Sequence, residues 1–452
     1  MENLVGKFLN SYAPIVEAQN KIDPVLFTKY NVKRGLRNED GTGVLVGLTE
    51  IGNVHGYILD EGEKVPVPGK LYYRGYDVED LVKGCYSEGR FGFEEITFLL
   101  IFGKLPTPKE LEDFQQVLGE VRALPNGFFE DMILKAPSSD IMNKLARSVL
   151  ASYSYDPDPE NYSLRNILRQ SIELVARFPT MAAYAYQVRQ HYYFGESLYV
   201  HTPRKDLSTA ENLLILIRPD SKYTQLEAEI LDLALILHAE HGGGNNSTFT
   251  IRVVSSAATD TYSAVAAALG SLKGHKHGGA NNRVMAMMDD IEKNVKDWKD
   301  EDELLRYLKQ ILRKEVGDKS GLIYGMGHAV YTLSDPREVL LKEKARSLAE
   351  QMGYMDEFAL YDRIERLAPR AFLEEKGQDK PIAPNVDFFS GFVYKMLNIP
   401  GSLYTPIFAI ARIAGWVAHR IEEIISGGKI IRPAYKNVNT KKEEYIPLSQ
   451  RG

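Results

Sequence analysis

Five of the nine histidines fall between His238 and His328, in three glycine-bearing segments: His238-Ala-Glu-His241-Gly-Gly-Gly-Asn245, Gly274-His-Lys-His277-Gly-Gly-Ala-Asn281 and Gly325-Met-Gly-His328. Glycine beside an imidazole lets backbone approach a ligand closely and allows sharp turns at helix ends. Farther along stand two arginine positions, Asp335-Pro-Arg337 and Arg412, and a carboxylate in Asn385-Val-Asp387. Imidazoles, guanidiniums and a carboxylate together point to acid–base chemistry on a polyanionic substrate.

Each position has a chemical and a plain reading. His241 ends the apolar stripe Leu226, Ile230, Leu233, Leu237 that follows the capping box Thr224-Gln-Leu-Glu227, and Gly242-Gly-Gly244 stops that helix. A helix C-terminus favours imidazolium by ~0.3–1 kcal/mol. That suits an anion-binding ring, and a ring that only caps the last carbonyls fits equally. His238 and His241 are i, i+3 neighbours, but without a His-Glu-x-x-His run or an accompanying cysteine no metal is expected. His277 precedes a helix expected from about Ala280, so its ring is predicted to be neutral and able to donate to the oxygen of a developing enolate. A loop histidine without function is the plain alternative.

His328 follows Gly325-Met-Gly327, whose amides can line a ligand, and the absence of Gly-x-Gly-x-x-Gly argues against a dinucleotide. Asp335-Pro336-Arg337-Glu338 reads as cap, N1 proline, N2 arginine and N3 glutamate. A cation at the positive end of a helix implies a bound anion, unless the arginine reaches into solvent. Arg412 is the only charge from Pro406 to Ala418, so burial would demand a carboxylate partner from the protein or, in the favoured reading, from a ligand. Asp387, just after Pro384-Asn385, is either a dipole partner or a general base kept ionised by the helix start.

These residues need a scaffold. A chain of 452 residues exceeds one ordinary core, so two or three domains are expected. The formal charge of −6 gives no support to nucleic-acid or membrane-surface binding, and any anion must be caught by locally placed cations. Pro406 to Ala418, at 13 residues, is too short to cross ~30 Å of hydrocarbon and reads as a buried helix. One cysteine, Cys85, suits a reducing compartment, and the N-terminus has neither signal- nor transit-peptide character, so cytoplasm is expected. Thr107-Pro108-Lys-Glu110 and Ser208-Thr-Ala-Glu211 add helix starts. Strand signals are confined to Gly43-Val-Leu-Val46, Gly56-Tyr-Ile-Leu59 and Lys70-Leu-Tyr-Tyr73, separated by turns at Asp60-Glu-Gly62 and Pro66-Val-Pro-Gly69. The charged stretch from Lys293 to Glu303 reads as a solvated loop. The chain therefore reads as all-α with a small β element near the N-terminus.

In this order the motifs strongly resemble the citrate synthase family. The likeness runs from Gly69-Lys-Leu-Tyr-Tyr-Arg-Gly-Tyr-Asp77 and Phe93-Glu-Glu-Ile-Thr97 through the three histidine segments and Asn385-Val-Asp-Phe-Phe-Ser-Gly391 to Phe408-Ala-Ile-Ala-Arg412 and Ile431-Arg-Pro433. The glycine run after His241 and the extra His275 depart from the commoner pattern without removing a functional position. The resemblance implies a two-domain helical fold: residues 1–277 and 390–452 in a large domain, and 278–389 in a small domain that closes over the substrates. It implies His277, His328 and Asp387 as catalytic residues, and His241, Asn245, Arg337, Arg412 and Arg432 as oxaloacetate- or citrate-binding residues. Arg432 would come from the other subunit of a homodimer. Leu322, Ile323, Tyr324, Gly325, Met326 and Gly327 would lie against CoA, a substrate here, with no separate cofactor. The implied reaction condenses acetyl-CoA with oxaloacetate and hydrolyses citryl-CoA. A 2-methylcitrate synthase using propionyl-CoA is the near alternative. A non-catalytic helical scaffold and a zinc hydrolase are the alternatives of other classes.

Overall fold

A computed structural model describes residues 4–38, 41–61, 63–377, 381–426, 428–439 and 444–451. Among them are seventeen α-helices and one three-stranded antiparallel sheet, so the all-α expectation with a small β element holds. The axis of the fold is the helix Tyr404–Ile425, buried from Leu403 to Ile421 except for the partly covered Phe408. It packs against the helices Leu164–Phe194, Phe93–Phe102, Gln225–His238 and Asn246–Ser256. From Pro406 to Ala418 its residues other than Arg412 are apolar on every face, as burial among several helices requires. No helix among the described residues is long and apolar enough to cross a membrane.

The capping boxes at Thr107, Ser208 and Thr224 all form with both reciprocal hydrogen bonds. The helix begun at Thr224 nevertheless ends at His238, three residues short of the expected end at His241. Side chains claim the carbonyls that a further turn would use. The Tyr73 hydroxyl donates to Ile236 O (2.9 Å) and Glu240 O (3.2 Å), and Arg412 Nε donates to His238 O (2.7 Å). Gly242, at φ +79°, then turns the chain away. His238 and His241 accordingly do not share a helix face.

The sheet pairs β1 (Gly52–Asp60) with β2 (Glu63–Tyr73), and β2 with the two-residue β3 (Tyr76–Asp77). Two expectations about the strands fail. Residues 44–46 form no strand: Gly43 makes a single bridge to Arg37, and Leu45 is 84% exposed with nothing to pair against. Pro66 to Gly69 is not a turn but the middle of β2, opposite an irregularity between His55 and Tyr57. Its two prolines are tolerated because β3 pairs only with Tyr72 and Tyr73, leaving that edge free. Of the other expected turn, Gly62 lies outside the described residues. The stretch Lys293 to Glu303 is also more ordered than expected. Asp300 caps a helix Glu301–Leu312 through the amides of Asp302 and Glu303, and the acidic first turn matches the helix dipole.

Two contacts place the site loops. A Cβ on Gly56 would meet Val330 O at 2.8 Å and one on Gly69 would meet Ser334 O at 2.1 Å, so only glycines let the segment after His328 lie on the sheet. The loop Gly325–Gly327 is stapled to residues 383–385 by Gly327 N to Ala383 O (2.8 Å), Asn385 N to Gly325 O (2.8 Å) and Asn385 Nδ2 to Gly327 O (3.0 Å). Gly325 is required twice. Its φ is +80°, and a Cβ would sit 2.8 Å from Phe388 Cδ2. Gly325→Ala is expected to destabilise the protein by roughly 1–3 kcal/mol, read as a lower midpoint in urea unfolding.

Candidate active site

The site forms where five segments meet: the chain after the Gln225–His238 helix, the loop before the helix Ala280–Asn294, the 325–331 loop, and the starts of the helices Pro336–Met352 and Val386–Met396. The Tyr404–Ile425 helix supplies Arg412 from beneath. The rings of His241 and His328 meet edge-on at 5.1 Å, and His328 stacks on Tyr331 at 4.8 Å. The titration of His241 responds to Arg337, His328, Arg412 and His277, and that of Asp387 to Arg337, Asp335 and Arg412. Six of the positions singled out in sequence therefore share one electrostatic neighbourhood.

Burial near arginines keeps the rings uncharged. His277 is pushed down to about 4 by desolvation and then by Arg412. His328 is pushed down to about 4 by desolvation and then by Arg337. The neutral His277 agrees with expectation. His241 does not: desolvation and Arg337 hold it well below the ordinary histidine value, so it is not the imidazolium that a helix C-terminus would favour. The weak dipole effect is absent because the helix ends earlier, and the cost of burying charge dominates. His328 is oriented as well as neutral. Its Nδ1 faces the amides of Val330 (3.0 Å) and Tyr331 (3.1 Å), which fixes the ring hydrogen on Nε2.

The two arginines differ. Arg337 does not reach into solvent. It is 3% exposed and forms a two-pronged pair with its own cap, Nε to Asp335 Oδ1 at 3.0 Å and Nη2 to Oδ2 at 2.6 Å. That carboxylate offsets the cation at the helix start. Arg412 is fully buried, pairs only through Nε, and has no hydrogen-bond partner at Nη1 or Nη2. Burial lowers its pKa to about 10, still well above neutrality. Two buried, charged, unclaimed donors of fixed planar geometry fit a carboxylate.

Asp387 sits at the second position of its helix, after the Asn385 cap, whose side chain accepts its amide at 3.0 Å. The helix start was expected to keep it ionised. Desolvation raises it to about 6, against the pull of Arg337, so the carboxyl is still ionised at neutral pH but by a narrow margin. Asn245 caps the helix Asn246–Ser256. Its Oδ1 accepts the Ser247 amide at 3.2 Å and lies 2.8 Å from Ser247 Oγ. Ser247 Oγ in turn meets His277 Nε2 and Trp416 Nε1, each at 3.1 Å.

Beside the 322–327 loop lies a cavity of about 200 Å³ lined by Arg283, Met287, Asp318, Leu322 and Tyr324 among others. Tyr324 donates to Asp318 at 2.6 Å, and Arg283 pairs with the same carboxylate at 3.1 Å. Leu322 is exposed, whereas the Ile323 side chain is buried in the core. Arg432 is not brought to the cleft. It is exposed in the irregular segment after the last long helix, and among the described residues no hydrogen bond or ion pair joins it to the site. His275 is likewise exposed. Sequence reading missed Tyr73, Ser247, Tyr331, Asp335 as a charge partner, and Trp416. Asp335 alone carried a signal, since an N2 arginine needs a nearby anion.

The chain matches the family model described as citrate synthase, C-terminal domain, over residues 39–434. It is 33% identical to the citrate synthase of Haloferax volcanii, covering 93% of this chain and 99% of that one. It is 32% identical to 2-methylcitrate synthase 1 of Corynebacterium glutamicum, covering 93% and 98%. A solved citrate synthase of Thermoplasma acidophilum, in ternary complex with carboxymethyl coenzyme A and oxaloacetate, superposes with a TM-score of 0.76 at 27% identity, covering 93% and 99%.

The raised Asp387 pKa has a stability consequence with a definite sign. A carboxyl whose folded pKa is raised binds its proton more tightly when folded, so stability is lost as pH rises from about 4 through about 6. Asp387→Asn, which resembles the protonated acid, is expected to be more stable than the parent at pH 8, by at most roughly 3 kcal/mol, and to show little gain near pH 4. Urea unfolding of both proteins at the two pH values checks it.

Proposed function

The chain belongs to the citrate synthase family of transferases, and we propose that its cleft condenses acetyl-CoA with oxaloacetate through the following division of labour. Arg412 Nη1 and Nη2 take one oxaloacetate carboxylate, with Arg337, His241 and Asn245 completing the cradle. His328 Nε2–H donates to the ketone oxygen and polarises the carbon to be attacked. Asp387, ionised at neutral pH, removes a proton from the thioester methyl. The electron pair moves into the new C–C double bond, and His277 stabilises the oxygen that gains charge. In the proposed chemistry the single hydrogen of the Ser247 hydroxyl turns from Asn245 Oδ1, 2.8 Å away, to His277 Nε2 at 3.1 Å. The ring then carries its own hydrogen on Nδ1, as a donor to that oxygen.

The enol carbon attacks the polarised ketone, the alkoxide takes up the proton, and water cleaves the resulting citryl thioester to citrate and CoA. A thioester methyl is a very weak acid, so a lone carboxylate is insufficient. A fixed donor at the developing oxyanion is worth about 3–4 kcal/mol. CoA lies along residues 322–327, and segment 278–389 closes over both substrates, excluding water until hydrolysis is due. No resident metal or cofactor takes part. Arg432 completes the oxaloacetate site of the neighbouring subunit in a homodimer, and the compartment is the cytoplasm, in keeping with the single, buried Cys85.

The observation that carries this reading is the pair of unclaimed Arg412 donors beside neutral imidazoles and a carboxylate near its titration point. The test is thiol release from acetyl-CoA with oxaloacetate. Asp387→Asn is expected to abolish turnover while oxaloacetate binding stays nearly intact. In the parent, kcat/KM should fall as pH drops through about 6, as the base is protonated. Arg432→Gln should raise the KM for oxaloacetate, and activity should disappear on dilution below dimer dissociation.

A second reading is favoured by the relatives named 2-methylcitrate synthase, which match as fully as those named citrate synthase. One methylene changes pocket preference by only about 1–3 kcal/mol. The ratio of kcat/KM for propionyl-CoA and acetyl-CoA separates the two activities.

A further inference from the structure

Directly behind His241 lies a buried carboxylate to which no step above gives a role. Glu240 is fully buried, and two glycines make room for it. A Cβ at Gly52 would come within 2.8 Å of Oε1, and one at Gly415, inside the central helix, within 2.3 Å of Oε2. Oε1 is well held. It accepts the Gly242 amide and faces His419 Nε2 at 3.0 Å. His419, also fully buried, presents Nδ1 to Nε (3.0 Å) and Nη2 (2.8 Å) of Arg252. A guanidinium offers only donors, so Nδ1 accepts and the ring hydrogen sits on Nε2, aimed at Glu240. Arg252 is itself fixed by Glu422 and by Glu423 (2.9 Å), and Glu422 accepts the Glu50 amide at 2.8 Å.

Oε2 of Glu240, by contrast, has no hydrogen-bond partner. Nor have the two terminal nitrogens of Arg412, for which Glu240 is the foremost opposite charge. Opposite charges in a dry interior attract strongly, and an unsatisfied buried ion is costly. Direct contact would satisfy both groups, and it would also occupy the donors that a substrate carboxylate needs. The grip of His419 and Gly242 on Oε1 opposes that collapse.

We propose that Glu240, tethered by His419 and Arg252, is a positioning residue: it gives Arg412 a counter-charge held at a distance, so that both terminal donors stay open for the substrate's carboxylate. The inference rests on the reading of Arg412 as a carboxylate-binding group.

Steady-state thiol release, with oxaloacetate varied at saturating acetyl-CoA, tests it in four proteins. His419→Ala frees Glu240 to close on Arg412, and its KM for oxaloacetate should rise about tenfold or more with a much smaller change in kcat. His419→Gln keeps a donor near the Nε2 position and should recover most of that loss. The double variant His419→Ala, Glu240→Gln has no anion to compete for Arg412, so its KM should fall back toward the parent's. A tether that served only folding would give additive losses instead. The proposal is overturned if the double variant is no better than His419→Ala, or if His419→Ala leaves KM unchanged. Should His419→Ala fail to fold, Arg252→Gln loosens the same tether from its outer end and is read in the same way. A parent that releases no thiol would sink the reading of the reaction itself, whereas an active parent with the wrong pattern among the variants would sink only the tether.

Discussion

Everything in the cleft follows from one constraint: charge has been taken out of water and only partly compensated. Burying a guanidinium or a carboxylate costs several kcal/mol unless partners replace the lost hydration. At Arg337 the replacement is internal, through Asp335. At Arg412 it is incomplete, since only Nε is satisfied. The same desolvation drives the histidines neutral and lifts Asp387 towards neutrality. One physical cause thus sets the protonation states on which the proposed chemistry depends, and leaves an electrostatic gap that a dicarboxylate would fill.

The fold is arranged to hold that unfavourable cluster in place. A helix that is otherwise apolar from Pro406 to Ala418 carries Arg412 into the centre, where its packing against neighbouring helices offsets the cost of burying the charge. The polypeptide leaves helical conformation at His238 because Tyr73 and Arg412 hold the carbonyls of that turn, and this frees His241 to face His328. Glycine matters where backbones touch: at Gly56 and Gly69 under the 330–334 segment, and at Gly325 against Phe388.

Much of this was legible in the residues. The capping boxes marked three helix starts correctly, and the lone arginine in an apolar run announced a buried cation. The proximity of glycines to His241, His277 and His328 marked loops at which a site could assemble. What escaped was whatever depends on tertiary burial. Local reasoning assigned His241 and Asp387 to helix-dipole control, worth under about 1 kcal/mol, whereas enclosure imposes shifts several times larger. Pro66 to Gly69 looked like a turn because an unpaired strand edge is invisible in sequence. Ser247, Tyr73 and Trp416 carried no local mark at all, since their value lies only in what the fold brings to them. Arg432, which the family resemblance assigns to a neighbouring subunit's site, is exposed on its own chain.

The staple between the 325–327 loop and residues 383–385 makes the loop and the start of the Asp387 helix one mechanical unit. Asp387 lies in the first turn of its helix, two residues after Asn385, so the strip that would cradle the coenzyme and the group that would deprotonate its acetyl arm share a rigid coupling. A thioester seated out of register would drag the carboxylate away from its methyl, and the misfit would pass unreacted. The position of Asp387 is in this way tied to the 325–327 loop by backbone connectivity as well as by its own helix.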